Sequence, residues 1–171
     1  MGHSQQQEFS SVRIKVITVS DSRDLNSDTS GQLIEERLIA AGHEFLGREV
    51  VIDGIEEIRN EVKSSIQQQR AQVVILNGGT GVTPRDQTPE AVEPLFDKPL
   101  PGFGELFRQL SFLEIGAATI QSRATAGMIG RSLVFSIPGS TKACRLAIEE
   151  IILPQLDSRT KPCSFSALLG L

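Results

Sequence analysis

Runs of β-branched residues alternate along this chain with apolar residues spaced three and four apart. The first run, 12–19 (VRIKVITV), predicts a strand, because branched side chains suit a pleated surface. It ends in the polar loop SDSRDLNSDTSG. Leu33, Ile34, Leu38 and Ala41 then share one helical face, and Gly42 is placed to stop that helix. Residues 45–52 predict a second strand, weakened by Gly47. Ile55, Ile58, Val62 and Ile66 form the clearest helical stripe. Residues 73–76 are wholly apolar, the pattern of a strand covered on both faces. Thr88-Pro89-Glu90 predicts a helix start with Thr88 as its cap. Pro101-Gly102-Phe103-Gly104 predicts a break before a helix over 105–112. A late strand over 133–137 and a last helix over 142–153, stopping before Pro154, complete the series. Strands alternating with helices imply an α/β fold around a mostly parallel sheet. The reading divides the chain into a disordered polar tail (1–10), one domain (11–156) and an extended tail (157–171).

Composition narrows the function classes. A chain of 171 residues fits one domain. Such a domain buries about 70% of its unfolded surface and folds without disulfides or structural metal. There is no Trp or Tyr, and the net charge is −4, so neither a base-stacking platform nor an electrostatic nucleic-acid or membrane surface is expected. Cys144 and Cys163 are too few and too far apart for a disulfide framework or a cysteine zinc site, and fit a reducing cytoplasm. The only histidines, His3 and His43, leave little room for histidine metal sites or Ser-His-Asp catalysis. His43 reads as a surface residue past a helix end, and Cys144 as core. The first residues lack the apolar core of a secretory signal, and Gln6 breaks the myristoylation pattern. No apolar run approaches the roughly 18 residues of a membrane span.

Candidate chemistry collects in four loops that follow strands, where open α/β sheets bind ligands. They are Ser20-Asp21-Ser22, Asp53-Gly54, residues 78–86 and Pro138-Gly139-Ser140. Gly78, Gly79, Thr80 and Gly81 can bring backbone N–H groups close to an anion, with the Thr80 hydroxyl as a further donor; the plain alternative is a tight turn. The loop is neither a Walker loop nor G-x-G-x-x-G. Arg85 can neutralise phosphate. Asp86 beside a phosphate cradle calls for a bridging cation, and Mg²⁺ is the usual one. Otherwise Asp86 pairs with Arg85 and shapes the turn. Asp53 is a second metal carboxylate or the cap of the helix that carries Ile55 and Ile58; the residues alone favour the cap. Ser20, Asp21 and Ser22 read otherwise as turn residues. Residues 138–140 precede a helix start that attracts phosphate or is simply capped by Ser140 or Thr141.

The segments TVSDS (18–22), DTSG (28–31), NGGTGVTPRDQTPEA (77–91), PGFGELFRQLS (101–111), QSRATAG (121–127) and PGSTKACR (138–145) span nearly the whole chain. Together they resemble the MoaB/MogA family of molybdenum cofactor biosynthesis, which includes the G domain of gephyrin, and look most like its bacterial MoaB branch. The resemblance implies a three-layer α/β/α sandwich. It implies an adenylyltransferase that uses Mg²⁺ and ATP to adenylylate the terminal phosphate of molybdopterin, releasing pyrophosphate. It also implies a homo-oligomer, either a trimer or a hexamer built as a dimer of trimers, with other proteins of the pathway as candidate partners. Carried over residue by residue, Asp53 and Asp86 match the family's essential, metal-binding aspartates. Gly78, Gly79, Thr80 and Gly81 match its nucleotide and phosphate loop, and Pro138 and Gly139 the turn beside adenine. Ser20 and Asp21 match the pocket-lining loop, and Ser122 and Arg123 the pterin side. Arg85 is the candidate for stabilising developing charge. Gly54 departs from the pattern where relatives often carry an acid, and Gln87 where they carry Val. The alternative function is a catalytically silent molybdopterin-binding or carrier protein of the same pathway.

Overall fold

The computed structural model describes residues 8–169. The readings placed on His3, on Gln6 and on most of the 1–10 tail lie outside the described residues. Branched and aliphatic side chains build six strands among those described: β1 (Arg13–Val19), β2 (Glu44–Val51), β3 (Val73–Asn77), β4 (Lys98–Pro99), β5 (Thr125–Ile129) and β6 (Ser132–Ile137). They form one sheet in the order β2-β1-β3-β6-β5-β4. The first four in that order run parallel, β5 is antiparallel to β6, and β4 antiparallel to β5. The helices are α1 (Thr29–Ala40), α2 (Ile55–Gln67), α3 (Thr88–Val92), α4 (Pro101–Ile115), α5 (Thr141–Ala147) and α6 (Leu153–Leu156).

Strand alternation sorts the core into two layers. Ile14, Val16, Val73, Ile75 and Phe135 pack against α1, α4 and α5, meeting Ile34, Leu38, Phe107 and Ala147. Ile17, Val19, Val74, Leu76 and Val134 pack against α2 and α3, meeting Ile58, Val62 and Ala91. This is the α/β/α sandwich, and it explains why 73–76 is apolar at every position. Each fully buried aliphatic side chain in these layers contributes roughly 1.5–3 kcal/mol.

Several elements differ from their sequence readings. Pro101 starts α4 rather than breaking the chain, because a proline in the first turn has no N–H to lose. Gly104 lies inside that first stretch, since a Cβ there would collide with the Ala124 carbonyl oxygen. The last helix does not stop at Pro154. A π turn, Ile148–Ile152, links α5 to α6, and the N–H of Leu153 reaches back to Ile148 O. Pro154 then sits in the first turn of α6, where its missing donor costs nothing. Strands β4 and β5 were not anticipated. Gly47, with φ +115°, sits where the β1–β2 register shifts, a bulge rather than a weak strand. His43 is buried, not on the surface; its Nδ1 accepts from Val12 N at 3.3 Å, and burial lowers its pKa against the opposing pull of Asp157. Cys144 is core, and burial pushes its thiol up to about 12.

The segment after 156 returns to the body. Ser158 Oγ accepts from Ser10 N (2.9 Å) and donates to Glu8 O (2.7 Å). A 3-10 turn, Phe165–Leu168, brings Leu169 into the layer beneath α1, where Gln72 Nε2 donates to its carbonyl at 3.0 Å. No helix among the described residues is long and apolar enough to cross a membrane.

Candidate functional site

The four parallel strands bring their carboxyl ends to one edge of the sheet. From β1 the chain passes to β2 on one side and β3 on the other, so a crevice opens there. A cleft of ≈ 520 Å³ lies at this edge. Of the residues singled out in the sequence, Ser20, Gly78, Gly79, Thr80, Gly81, Asp86, Ser122, Pro138 and Gly139 line it. Arg123 lies just outside, with Asp86 and Gln87 around an adjoining cavity of ≈ 450 Å³. Ser122 and Arg123 also border a third cavity of ≈ 580 Å³ whose walls include Leu100, Pro101 and Arg108. Asp21, Asp53 and Arg85 reach the site through the loop contacts below.

The glycine loop is shaped by close approach. Gly78 and Gly79 have φ of +103° and +64°, which favours glycine at both. A Cβ on Gly78 would strike the Val19 carbonyl oxygen, and one on Gly139 would lie 3.0 Å from Gly78 Cα. The ends of β1, β3 and β6 are therefore packed backbone to backbone. Thr88 does not cap α3, whose first cap position is Gln87. Its Oγ1 donates instead to Gly78 O (2.8 Å) and its N–H to Gly79 O (3.0 Å). Among the described residues, the N–H groups of Gly79 and Thr80 have no acceptor. They are the donors an anion needs.

The two candidate carboxylates flank this loop. Asp53 does not cap α2: Gly54 occupies that position, and no side chain bonds there. Asp53 Oδ1 accepts from Gln87 N at 3.1 Å, and its Oδ2 lies 2.9 Å from where a Gly79 Cβ would stand. Asp86 does not pair with Arg85. Its Oδ2 accepts from Thr83 N (2.9 Å) and Thr83 Oγ1 (2.6 Å), and lies 2.7 Å from a would-be Gly81 Cβ. Burial raises the Asp53 pKa; the charges of Asp86 and Asp21 raise it further, against the Gln87 N–H. Burial also lifts Asp86, but the Thr83 hydroxyl and the N–H groups of Thr83 and Gly81 outweigh it and hold that carboxyl below its ordinary value. No three potential metal-ligand side chains cluster among the described residues. A cation here would have these two carboxylates and would complete its shell with water and substrate oxygens, as Mg²⁺ commonly does.

The arginines hold the frame. Arg85 grips Asp21 Oδ2 through Nε (3.0 Å) and Nη2, which keeps the Asp21 carboxyl below its usual range. Asp21 Oδ1 in turn accepts from Asp53 N at 3.0 Å. Arg123 donates from Nε to Gly81 O (2.7 Å) and from Nη2 to Asp86 O (2.8 Å), while Nη1 pairs with Glu90. Ser20 Oγ accepts from Ser22 N and Arg23 N, and Ser140 Oγ from Ala143 N, so both act in their own turns. Ser122 Oγ is buried and has no partner among the described residues.

A buried polar network beneath the cleft was missed. Asp28, 1% exposed, accepts from Thr18 Oγ1 (2.7 Å), Arg48 Nη1 (3.0 Å) and Gly31 N (2.9 Å). Asn77 Nδ2 donates to Thr18 Oγ1 (2.8 Å), and Ser30 Oγ donates to Asn77 Oδ1 (2.9 Å). Arg23 Nη1 closes the chain on Ser30 Oγ (2.7 Å) and Gly139 O (3.3 Å). The available signal was Asn77, the polar residue that ends the otherwise apolar β3.

A family model described as a probable molybdopterin binding domain matches residues 15–158. The chain is 50% identical over 158 residues to molybdenum cofactor biosynthesis protein B of Escherichia coli K12, covering 92% of this chain and 93% of that one. A crystal structure of a molybdenum cofactor biosynthesis protein B superposes with a TM-score of 0.85 at 49% identity, over 88% of this chain and 94% of that one. The tungsten cofactor synthesizing protein MoaB of Pyrococcus furiosus follows the same course, with a TM-score of 0.75 at 41% identity over 83% and 91%.

Proposed function

The chain belongs to the molybdopterin-binding family of molybdenum cofactor biosynthesis, and on that premise we propose that it adenylylates molybdopterin. An oxygen of the pterin's terminal phosphate attacks the α-phosphorus of ATP. The new P–O bond forms as the bond to the β-phosphate oxygen breaks, and pyrophosphate leaves with that electron pair. A phosphate monoester has its second pKa near 6, so it is largely dianionic at neutral pH and needs no strong base. That suits a cleft with no histidine in its lining.

The observation that supports this reading is the pair of carboxylates on either side of the glycine loop, each with one oxygen in the hydrogen bonds described above. Asp53 and Asp86 would hold Mg²⁺, which supplies charge neutralisation between two polyanions. The N–H groups of Gly79 and Thr80 take the negative charge on phosphate oxygens. Asp21 and Arg85 tie the first, second and third strand loops together, and Arg123 braces the far side of the glycine loop. Ser122 faces the pterin, and Pro138-Gly139 the adenine. The same reading carries assembly into a trimer or hexamer, and a cytoplasmic setting.

The test is pyrophosphate release from Mg-ATP, measured anaerobically with and without molybdopterin. Asp86→Asn is expected to lower the rate by about 10²-fold or more, the scale of losing one electrostatic contact to the transition state, with folding and pterin binding retained. Wild-type release by that variant would overturn the metal-carboxylate mechanism. Pterin binding by the wild type without release would transfer the assignment to the carrier function.

A further inference from the structure

We infer that Arg23 is the anion anchor of the cleft, receiving a phosphate group of a substrate alongside the N–H groups of Gly79 and Thr80. Two polyanions meet in the proposed reaction, and the inference rests on that reading for the identity of the phosphate bearer. Of the side chains lining the cleft, Arg23 is the one cation among the described residues, and Asp86 the one anion. The other two arginines near the loop are committed elsewhere. Arg85 holds Asp21, and Arg123 holds loop carbonyls and Glu90.

Arg23 differs in kind. Nη1 donates to two neutral oxygens, Ser30 Oγ and Gly139 O, and no carboxylate pairs with the guanidinium among the described residues. Nε and Nη2 have no acceptor there. Three of the five donors of the fork are thus left, and the nearest carboxylate, Asp28, is reached only through the Ser30 hydroxyl. Behind it, Ser30 is fully buried and fixed by Asn77 and Asp28. A long flexible side chain is therefore held in place before any ligand arrives, so its ordering is not a cost of binding. Support of the Gly139 turn alone would need only a neutral donor. A charged fork with open donors, in the cleft that also holds the unpartnered N–H groups of Gly79 and Thr80, matches the planar recognition of phosphate oxygens.

The experiment is calorimetric titration of the full chain, with Mg²⁺, by inorganic pyrophosphate and separately by inorganic phosphate. The first probe stands for the nucleotide's phosphates and the second for the pterin's monoester. Arg23→Gln keeps an N–H for Ser30 and removes the charge; Arg23→Lys keeps the charge and loses the fork. We expect R23Q to weaken at least one probe by about tenfold or more, with an unchanged melting temperature and a flatter dependence on salt, and R23K to recover part of the loss. The arm that weakens names the phosphate bearer. Equal affinities for both probes in R23Q and wild type, or no binding of either probe by wild type at millimolar concentration, would overturn the assignment. A loss that tracks a fallen melting temperature, unrelieved in R23K, would do the same, leaving Arg23 a structural residue. No turnover enters the measurement, so its failure is distinguishable from failure of the adenylylation reading.

Discussion

The two aspartates that flank the glycine loop are shifted in opposite directions, and that divergence has a sign that can be worked through. The Asp53 carboxyl lies above its ordinary value because burial and two neighbouring acids disfavour its charge. Between the unfolded value near 3.9 and the higher folded value, the folded chain binds more protons than the unfolded one, so this residue makes stability fall as pH rises. At neutral pH the folded state carries the full penalty. Asp53→Asn is therefore expected to melt at or above the wild-type temperature at pH 7, with the advantage shrinking toward pH 4. Added Mg²⁺ is expected to stabilise the wild type and not the variant. Melting curves of both proteins over that range, with and without Mg²⁺, check it. A lower melting point for the variant at pH 7 would show that the Gln87 N–H contact outweighs the repulsion.

Elements come together at the cleft through Asp28. It caps α1, accepts from Thr18 at the end of β1 and holds the half-buried Arg48 of β2, with its own carboxylate fully buried. Removing one partner of a buried ion pair commonly costs about 3–5 kcal/mol, because the other charge is left behind. Arg48 keeps Glu35, so the low end applies. Asp28→Ala is expected to lose about 3 kcal/mol, a fall of roughly 6–12 °C in melting temperature, readable by calorimetry. An unchanged melting point would mean that Arg48 relaxes fully onto Glu35. Sequence reading found this segment only as a motif. It located the long periodic elements, α1, α2 and β3, because their apolar spacing is a direct image of the packed face. It misplaced Pro101 and Pro154, because a proline's effect depends on whether its position needs an N–H. It missed β4 and β5, short and half-exposed at the antiparallel end of the sheet, where alternation is weak. Thr88 and Asp53 looked like caps for the same reason: a cap and a loop-to-loop hydrogen bond use the same side chain. Only the fold decides which partner is near. The glycine loop was legible because its chemistry is carried by consecutive residues.

On the scale of the molecule, the exposed apolar side chains are concentrated. Leu106, Phe112, Leu113 and Ile115 lie on α4, and Ile120 on the 3-10 turn after it; Leu113 and Ile120 are 80% and 81% exposed. Concentrated exposed apolar surface marks association sites or ligand grooves, and Ile115 also lines the cleft. If the chain assembles as proposed, replacing Leu113 and Ile120 together by Glu is expected to lower its oligomeric state while leaving the fold intact, as read by sedimentation velocity and circular dichroism. A monomeric wild type, or an unaltered assembly in the double variant, would place the contact elsewhere or remove it. Such a surface was not legible beforehand, since core and interface positions share one apolar spacing.

The close packing of Val19, Gly78 and Gly139 has a consequence for how such a protein can change over time. The base of the cleft is main chain, and its donors are the same whatever residue types surround them. Substitution can abolish that base, by adding a Cβ where none fits, but it cannot grade it. Adaptation to a different heterocycle is thereby channelled to the walls, to exposed positions such as Ile115 and Gln121, where side chains can be exchanged one at a time. A library aimed at new substrates would do best to hold 78–81 fixed and diversify that rim.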